Sequence, residues 1–380
     1  MRLLNKVALS MLAFALCMMF VTSAAADITK AGNGTSAMTG NAFKIVEIGS
    51  VYTENNNMTD NKIISFGRSA NGSLIMSKRF STNGLGTGMS LGNQGGVILT
   101  DDGKNLLAVN AGSNEISVFQ VKPNGLKLTN KINSSGIMPI SLTAKDNLVY
   151  VVNTGGTGGN GNIVGFHLHN GKLSMIPNSI RPLSNNSADP AEIAFNPDRD
   201  VLVVTEKSTN IIDTYKVDNN GIANGPIKHA SNGPTPFGFA FTKKGYLIVS
   251  EAPGSALSSY SVDKKGHLKL ISGSVPDFHA AACWVVVTKD GKFAYANNAH
   301  DGTISSYVIN KKGMLSLLKK TAGTPGTGNI DLALSENSKF LYSLNSGDKT
   351  IAVFRVNQDG NLIPIAKVRA PTGASGLAAR

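Results

Sequence analysis

The sequence contains very little cysteine, which excludes a disulfide-stabilised fold. Its two cysteines are Cys17 and Cys283. Cys17 lies in an apolar N-terminal segment that we expect to be removed, so Cys283 is left alone and no intramolecular disulfide can form. The chain must then be stabilised by its core, and one of about 350 residues can bury a large one.

Long helical and membrane-spanning segments are also missing. Runs of strong helix formers are few, whereas the chain has 41 glycines and 14 prolines. This composition indicates an all-β fold rich in turns. After the N-terminus, no apolar stretch is long enough to cross a bilayer. We therefore expect no membrane span.

The first 26 residues have the pattern of a secretory signal peptide. Arg2 and Lys6 precede a mostly apolar run over residues 7–21, and three alanines stand before Asp27. Such a segment is cleaved during export. We expect a mature protein in the periplasm or secreted from the cell, with a flexible lead-in over residues 27–44 that is rich in small and polar residues.

The charge is strongly basic, at +12, but the lysines are scattered and several pairs fall on predicted turns. A basic surface can attract nucleic acid, anionic lipid or acidic glycans. Because no aromatic residues are interleaved with these lysines, the pattern does not indicate a single-stranded nucleic-acid platform. Lysines exposed to solvent on turns explain the basic net charge, and we expect no nucleic-acid partner.

A unit of about 47 residues recurs seven times. Its marker is an aromatic residue that ends a short β-like segment, and these aromatics are separated by 53, 47, 49, 45, 47 and 47 residues. A turn glycine a few residues later keeps the same step. The aromatic markers are Phe66, Phe119, Phe166, Tyr215, Tyr260, Tyr307 and Phe354.

Each unit is predicted to form four short strands, the pattern of a propeller blade. In the sixth unit these are residues 283–288, 293–297, 303–309 and 314–320, with an Asp-Gly turn after the first. The first unit lacks an innermost strand, and the terminal segment 376–379 resembles the innermost strands elsewhere. We therefore predict a seven-bladed β-propeller over residues 45–380, closed by a C-terminal strand that completes blade one.

One polar position recurs after the second strand of six blades. In a propeller, equivalent positions form a ring around the axis, so Glu206 and Glu251 would be neighbours near one mouth of the channel. Two such carboxylates could bind a cation, hold a sugar or share a proton, which makes them the candidate catalytic residues. Salt bridges to Lys207 or other lysines are the structural alternative. The other members, which are candidate ligand-binding residues or turn-stabilising asparagines, are Asn110, Asn153, Asn298 and Asn345.

Other candidates are weaker. His167 and His169 share one face of a strand, but the sequence places no third metal ligand beside them, so we predict no metal site. The G-x-G-x-x-G match at residues 156–161 opens no helix, which excludes a dinucleotide site, and we predict no cofactor. Cys283 and Trp284 lie in a predicted innermost strand, where we expect the tryptophan to pack between blades.

These blades, built from an apolar strand, an Asp-Gly turn and an Ile-x-x-Phe strand, resemble the seven-bladed lactonase-type propellers. That family includes bacterial 6-phosphogluconolactonase and fungal 3-carboxymuconate lactonizing enzyme (3-carboxymuconate cyclase). The segments at residues 204–207, 234–239, 249–251, 282–284 and 376–380 resemble an uncharacterised exported branch of it.

The resemblance implies a catalytic pattern that this sequence matches only in part. Active members have Gly-Pro-Arg-His before an innermost strand and a Glu sixteen residues after the Arg. Here Thr235 takes the Arg position and Glu251 matches the Glu. A family His near Asp189 is absent, and a second Arg is matched by Ala299, beside Asn298. Thr and Ala cannot replace bidentate Arg contacts to an anion. Because Thr235 occupies the Arg position of this pattern, we include it among the candidate ligand-binding residues, with Lys207.

We expect an exported propeller, most simply a monomer, that binds a small molecule, carbohydrate or partner at one channel mouth. Two alternatives remain open. One is a hydrolase or cyclase acting on a lactone or ester, with Glu251 as general base. The other is a protein- or glycan-interaction module that uses loops and rim edges.

Overall fold

The computed structural model describes residues 47–380, and within them the fold is built from β-strands and one short 3₁₀ turn, Gly156–Gly158. The signal peptide and the lead-in predicted for residues 1–44 lie outside the described residues. Seven antiparallel sheets follow one another along the chain. The predicted seven-bladed β-propeller is confirmed.

Each blade contains strands numbered from the channel outwards, apart from blade one, whose innermost strand comes last in the chain. Blade one contains β1 (Gly49–Glu54), β2 (Lys62–Arg68), β3 (Leu74–Ser81) and β29 (Ser375–Ala379). Blade two contains β4 (Val97–Leu99), β5 (Asn105–Asn110), β6 (Glu115–Lys122) and β7 (Gly125–Asn133). Blade three contains β8 (Pro139–Lys145), β9 (Leu148–Asn153), β10 (Asn162–His169), β11 (Lys172–Met175) and the short β12 (Arg181–Pro182).

The remaining blades are regular. Blade four contains β13 (Pro190–Phe195), β14 (Val201–Glu206), β15 (Ile211–Val217) and β16 (Ala223–Ala230). Blade five contains β17 (Pro236–Phe241), β18 (Tyr246–Glu251), β19 (Ala256–Val262) and β20 (Leu268–Pro276). Blade six contains β21 (Ala282–Val287), β22 (Phe293–Asn298), β23 (Thr303–Ile309) and β24 (Leu315–Gly323). Blade seven contains β25 (Asn329–Leu334), β26 (Phe340–Asn345), β27 (Thr350–Val356) and β28 (Leu362–Arg369).

The C-terminal strand closes the ring, as the sequence predicts. β29 pairs antiparallel with β1, with Val51 opposite Ala379 and Tyr52 opposite Ala378. Beyond the strand, the amide of Arg380 donates to the carbonyl of Ser50 at 2.9 Å. Both ends of the described chain are thereby held in one sheet, and the ring closes without a disulfide.

The seven aromatic markers of the repeat are the core of the blades. All seven are buried, each in the third strand of its blade between two neighbouring sheets. The hydrophobic clusters run from blade to blade; one joins Ile248 of blade five to Val285 and Tyr307 of blade six. Burial of one aromatic per blade explains why the marker recurs with the blade period.

The two ends of the channel differ in the segments they carry. The long loops that lead into the innermost strands, and the loops between second and third strands, lie on one side, here called the loop face. The tight turns between innermost and second strands lie on the other side, here called the turn face. Among the described residues, no helix is long and apolar enough to cross a membrane.

Ring closure gives a mutational prediction. Leu377 of β29 is buried in a cluster with Val51 and Phe66, so Leu377→Ala is expected to lower the free energy of unfolding by about 2–5 kcal/mol. Ile75 lies exposed on the outermost strand of the same blade, and Ile75→Ala is the control, with an expected loss below about 0.5 kcal/mol. Urea unfolding measures both, and equal losses would contradict the closing role of β29.

Candidate functional site

The polar ring predicted from the sequence is present on the loop face. Its members are each the last residue of a second strand, and all are buried. The ring also has a seventh member, Glu54 at the end of β1, which sequence reasoning missed because the following loop is longer in blade one. The complete ring is Glu54, Asn110, Asn153, Glu206, Glu251, Asn298 and Asn345.

Glu251 is held by donors of its own blade. Its Oε1 accepts from the amide of Gly233 at 2.8 Å and from the Ser258 hydroxyl at 2.5 Å, and its Oε2 accepts from the Ser274 hydroxyl at 2.5 Å. The residue is 1 % exposed. This carboxylate therefore ties the loop before β17 to the second, third and outermost strands of blade five.

Glu206 has the same role in blade four, with a second acid beside it. Its Oε1 accepts from the amide of Ser184 at 2.8 Å, and its Oε2 accepts from the hydroxyls of Ser184 and Thr209. Asp213, seven residues later, is fully buried and hydrogen-bonds to Glu206. Burial, followed by the bond to Glu206 and its charge, raises the pKa of Asp213 to about 8. Asp213 is therefore protonated at pH 7.

The pair of Glu206 and Asp213 replaces a neutral pair that occurs in other blades at the same separation. Asn110 donates to the Ser117 hydroxyl at 2.8 Å, and Asn298 donates to the Ser305 hydroxyl at 2.8 Å. Whether the ring residue is Glu, as in Glu251, or Asn, as in Asn110 and Asn298, it hydrogen-bonds the residue seven positions later. The role that these ring residues share is therefore structural. The second and third strands are joined there at the loop face.

Glu54 is the most desolvated acid of the ring. It is fully buried, and its Oε2 accepts from the Asn61 amide at 2.8 Å. Burial raises the pKa of Glu54 to about 8, although the bond from Asn61 lowers it in part. Its Oε1 has no hydrogen-bond partner. Glu54 is therefore neutral at pH 7.

Lys207 and Thr235 lie on the same face, in separate contacts. The Lys207 ammonium donates to the carbonyl of Gly92 at 2.7 Å, lies 3.2 Å from Asp189 and sits 5.3 Å from the centre of the Phe237 ring. Thr235 has a positive φ of 51°, and its amide donates to the Asn210 side chain at 2.7 Å. Asp189, near which the family resemblance implies a histidine, pairs with Lys207.

A segment of residues 84–96, here called the crossing segment, covers the loop-face mouth of the channel. It leads into blade two, yet the Gln94 amide donates to Ala191 of blade four at 3.1 Å. The Gln94 side chain accepts from the Val285 amide of blade six at 3.0 Å and donates to the Phe239 carbonyl of blade five at 3.3 Å. One glutamine thus bridges three blades across the axis.

Other contacts hold the crossing segment in place. The indole of Trp284 in blade six donates to the carbonyl of Asn93 at 2.8 Å. The side chain of Asn93 donates to the carbonyl of Ile140 in blade three. Trp284 also packs edge-on against Phe237 of blade five, 4.9 Å between ring centres, which confirms its predicted place between blades. The mouth that carries Glu206 and Glu251 is therefore filled by the protein itself.

The turn-face half of the channel contains a cavity of about 350 Å³. The innermost strands of five blades line it, and Gln94 forms part of its inner end. Two acids line it as well: Glu192 on β13 of blade four and Asp331 on β25 of blade seven. A larger cleft of about 860 Å³ also opens on the turn face beside Glu47, the first described residue, away from the axis.

Both channel acids follow an irregularity in their strand. The register shifts between Pro190 and Glu192 in β13, and between Asn329 and Asp331 in β25. The Phe239 amide donates to Glu192 at 2.6 Å, and the Leu332 amide donates to Asp331 at 2.8 Å. Burial raises the pKa of both carboxyls well above the usual range, and for Glu192 the charge of Asp331 adds to this effect. Burial therefore favours the protonated form of each acid.

The two histidine candidates lie apart from the channel, whereas Cys283 is on an innermost strand. His167 and His169 are on β10, the third strand of blade three, and no group of three potential metal ligands occurs among residues 47–380. Cys283 lies on β21 and is buried, as expected for an innermost strand.

Comparison with known proteins agrees with this architecture. The model of the family described as "Lactonase, 7-bladed beta-propeller" matches residues 55–182, 160–283 and 277–376. None of the curated proteins matches the chain. A channel-centred ring of seven four-stranded blades defines the class, and the chain belongs to the seven-bladed lactonase propeller family.

Three solved structures share the fold at low identity. A candidate 6-phosphogluconolactonase from Bacteroides uniformis has a TM-score of 0.71 at 18% identity, covering 88% of this chain and 99% of its own. The periplasmic gluconolactonase of Pseudomonas aeruginosa has a TM-score of 0.69 at 14% identity, covering 87% and 98%. A Lactobacillus plantarum protein has a TM-score of 0.68 at 16% identity, covering 88% and 100%.

The acid pair in blade four gives a pH-dependent prediction. Because the folded-state pKa of Asp213 is about 8 and the unfolded value is about 3.9, its stabilising contribution is complete below pH 4. The contribution is lost as the pH rises towards 8, by at most about 1.4 kcal/mol per pH unit. Asp213→Ser, which restores a Glu–Ser pair like that of blade five, should therefore stabilise the protein at pH 8 and flatten the slope.

Urea unfolding between pH 5 and pH 8 measures this difference. Asp359→Asn is the control, since Asp359 lies in an exposed turn where a backbone hydrogen bond from Asn361 lowers its pKa. Its removal should leave the slope in this window unchanged. An unchanged slope in Asp213→Ser would show that Asp213 is not protonated in the folded protein.

Proposed function

We propose that this protein is an exported lactonase-type propeller that binds a small polar molecule, such as a carbohydrate, in the turn-face cavity of its channel. In this proposal residues 1–26 direct export, and the family's hydrolytic reaction does not take place at the position of Glu251. The proposal keeps a binding site in the channel but moves it from the mouth that carries Glu206 and Glu251 to the opposite mouth.

The observation that carries the proposal is the contrast between the two ends of the channel. On the loop face, the crossing segment fills the axis, and the carboxylates of Glu206 and Glu251 are each bonded to three donors. On the turn face, the channel retains a cavity of about 350 Å³. A volume of this size is at the lower end for small-molecule sites.

The chemistry of the cavity favours a ligand with hydroxyl or carbonyl groups. The innermost strands are sheet edges, and such edges present backbone N–H and C=O groups. Burial favours the protonated form of Glu192 and Asp331, and a protonated carboxyl can donate one hydrogen bond as well as accept. Alternating donors and acceptors without net charge suit an uncharged polyol or sugar.

Hydrolysis of a lactone by Glu251 is the alternative, and the names of two structural neighbours motivate it: the candidate 6-phosphogluconolactonase and the periplasmic gluconolactonase. A general base must reach the proton that it removes. In this chain Glu251 is buried and already accepts three hydrogen bonds, and Thr235 and Ala299 stand where the resemblance implies arginines. The third function considered, an interaction module, would leave the channel without a ligand.

Thermal unfolding in the presence of glucose, glucono-1,5-lactone and other neutral sugars tests the proposal. At least one of them should raise the melting temperature, since a ligand at 100 times its Kd stabilises a protein by about 2.7 kcal/mol. Glu192→Met and Asp331→Leu keep the approximate side-chain size but remove the polar atoms, so they should abolish the shift.

Glu251→Gln is the matched control on the opposite face, and there the shift should persist. A shift that is lost in Glu251→Gln but kept in Glu192→Met would overturn the assigned mouth. Lactone consumption that disappears in Glu251→Gln would establish the hydrolase instead, and no shift with any sugar would favour the interaction module.

A further inference from the structure

Three side chains of blade six form a hydrogen-bonded chain on the loop face. The Nδ1 atom of His279 lies 2.9 Å from the Asp301 carboxylate, and its Nε2 atom lies 2.9 Å from the Thr321 hydroxyl. A carboxylate only accepts hydrogen bonds, so Nδ1 carries the proton and Nε2 accepts from the threonine. The order is that of an acid, a base and a hydroxyl nucleophile.

The base is the most shielded of the three side chains. The His279 side chain is 11% exposed and the Asp301 side chain 31%, and Asp301 and Thr321 are both exposed residues. Burial alone would raise the pKa of Asp301, but hydrogen bonds from His300 and His279 outweigh it and hold the pKa below the usual value. Asp301 is therefore ionised and fixes the ring of His279.

Blade five has neither the base nor the acid at the equivalent positions. His279 is three residues before β21, and the equivalent residue before β17 of blade five is Gly233. Asp301 is three residues after β22, where blade five has Gly254. Two glycines are thus replaced by a base and an acid that contact each other.

At the position of Thr321, both blades have a hydroxyl side chain, but the two hydroxyls contact different partners. Ser274 of blade five and Thr321 of blade six each lie four residues after the residue that pairs with the third-strand aromatic. Ser274 donates inwards to Glu251 at 2.5 Å. In blade six the residue equivalent to Glu251 is Asn298, which bonds Thr303 and Ser305 instead, and Thr321 contacts His279.

Thr321 also lies at a widened point of its strand. Ile304 pairs with Gly323 and Ser306 with Lys319, so three residues of β24 lie opposite one residue of β23. Residues 320–322 are outside the ladder register, and bulges of this kind re-aim side chains at active sites.

We propose that Thr321, His279 and Asp301 form an acyl-transfer site for small esters, separate from the channel and independent of the proposed function. The Thr321 oxygen attacks the ester carbonyl while its proton passes to Nε2 of His279. The carbon–oxygen bond to the alcohol breaks, and the alcohol leaves with that proton. Water, deprotonated by His279, then releases the acid and restores the threonine.

The substrate class follows from the surroundings. Phe278 precedes His279 and is 66% exposed, with a positive φ of 63°. An exposed aromatic ring beside the base offers an apolar contact for an acyl or aryl group. The site is open to solvent, so a short-chain aryl ester such as 4-nitrophenyl acetate is a suitable probe.

The experiment measures 4-nitrophenol release together with the mass of the acylated peptide. The intact protein should show a burst of 4-nitrophenol and an acetyl group on Thr321. Thr321→Ala should lose at least 100-fold in rate, and Thr321→Ser should retain turnover. His279→Gln and Asp301→Asn should each lose at least 10-fold.

A second threonine–histidine contact in the chain supplies the matched control. His229 lies 3.2 Å from the Thr214 hydroxyl, but that hydroxyl donates to the Gly266 carbonyl at 2.6 Å. His229→Gln should leave the burst intact. Acetylation elsewhere, a Thr321→Ala rate equal to the wild type, or a lower melting temperature with no change in rate would each overturn the site and leave the three residues as a loop contact. None of these results depends on the channel ligand.

Discussion

The pairing of β29 with β1 is the constraint on which the whole molecule depends. Each blade packs on its two neighbours, so a propeller gains its full core only when the first and last blades meet. Here the closing strand is the last one in the chain, held by its ladder and by the bond between Arg380 and Ser50. The axial cavity, the polar ring and the crossing segment all require this closed geometry.

Repetition makes the blades controls for one another. Asn110 and Asn298 define the ordinary bond between second and third strands, and Glu251 shows that an acid can serve the same purpose with hydroxyl donors. The acid pair of blade four and the histidine of blade six differ from the residues at the equivalent positions of the other blades. A departure that brings new contacts, as at His279, is stronger evidence for chemistry than a polar residue that repeats.

Much of the architecture could be predicted from the sequence because the blade is a local unit. The aromatic period, the Asp-Gly turns and the missing first strand together predicted seven blades and the closing strand. The strands of blade six lie within a few residues of their predicted bounds. The candidate site was less predictable. Ring residues were recognised by a fixed spacing before the third-strand aromatic, and Glu54 was missed because the loop between them is longer in blade one.

The contacts across the channel could not be predicted at all. Gln94 lies in a loop of unremarkable composition, yet it bonds to strands more than a hundred residues away. Burial, with a smaller effect of Asp331 in blade seven, raises the pKa of Glu192 in blade four. Such pairs have no spacing rule, because their proximity comes from the circular arrangement rather than from the periodicity of any one strand.

Amide hydrogen exchange of the closing strand tests the account most directly. The amides of Arg380 and Ser50 bond to each other's carbonyls, and with those of β29 and β1 they should exchange only through global unfolding. The account predicts that their protection equals that of the buried third strands. Protection of β29 far below that of β1, with the rest of the propeller unchanged, would show that the ring holds without its terminal strand and would contradict the account.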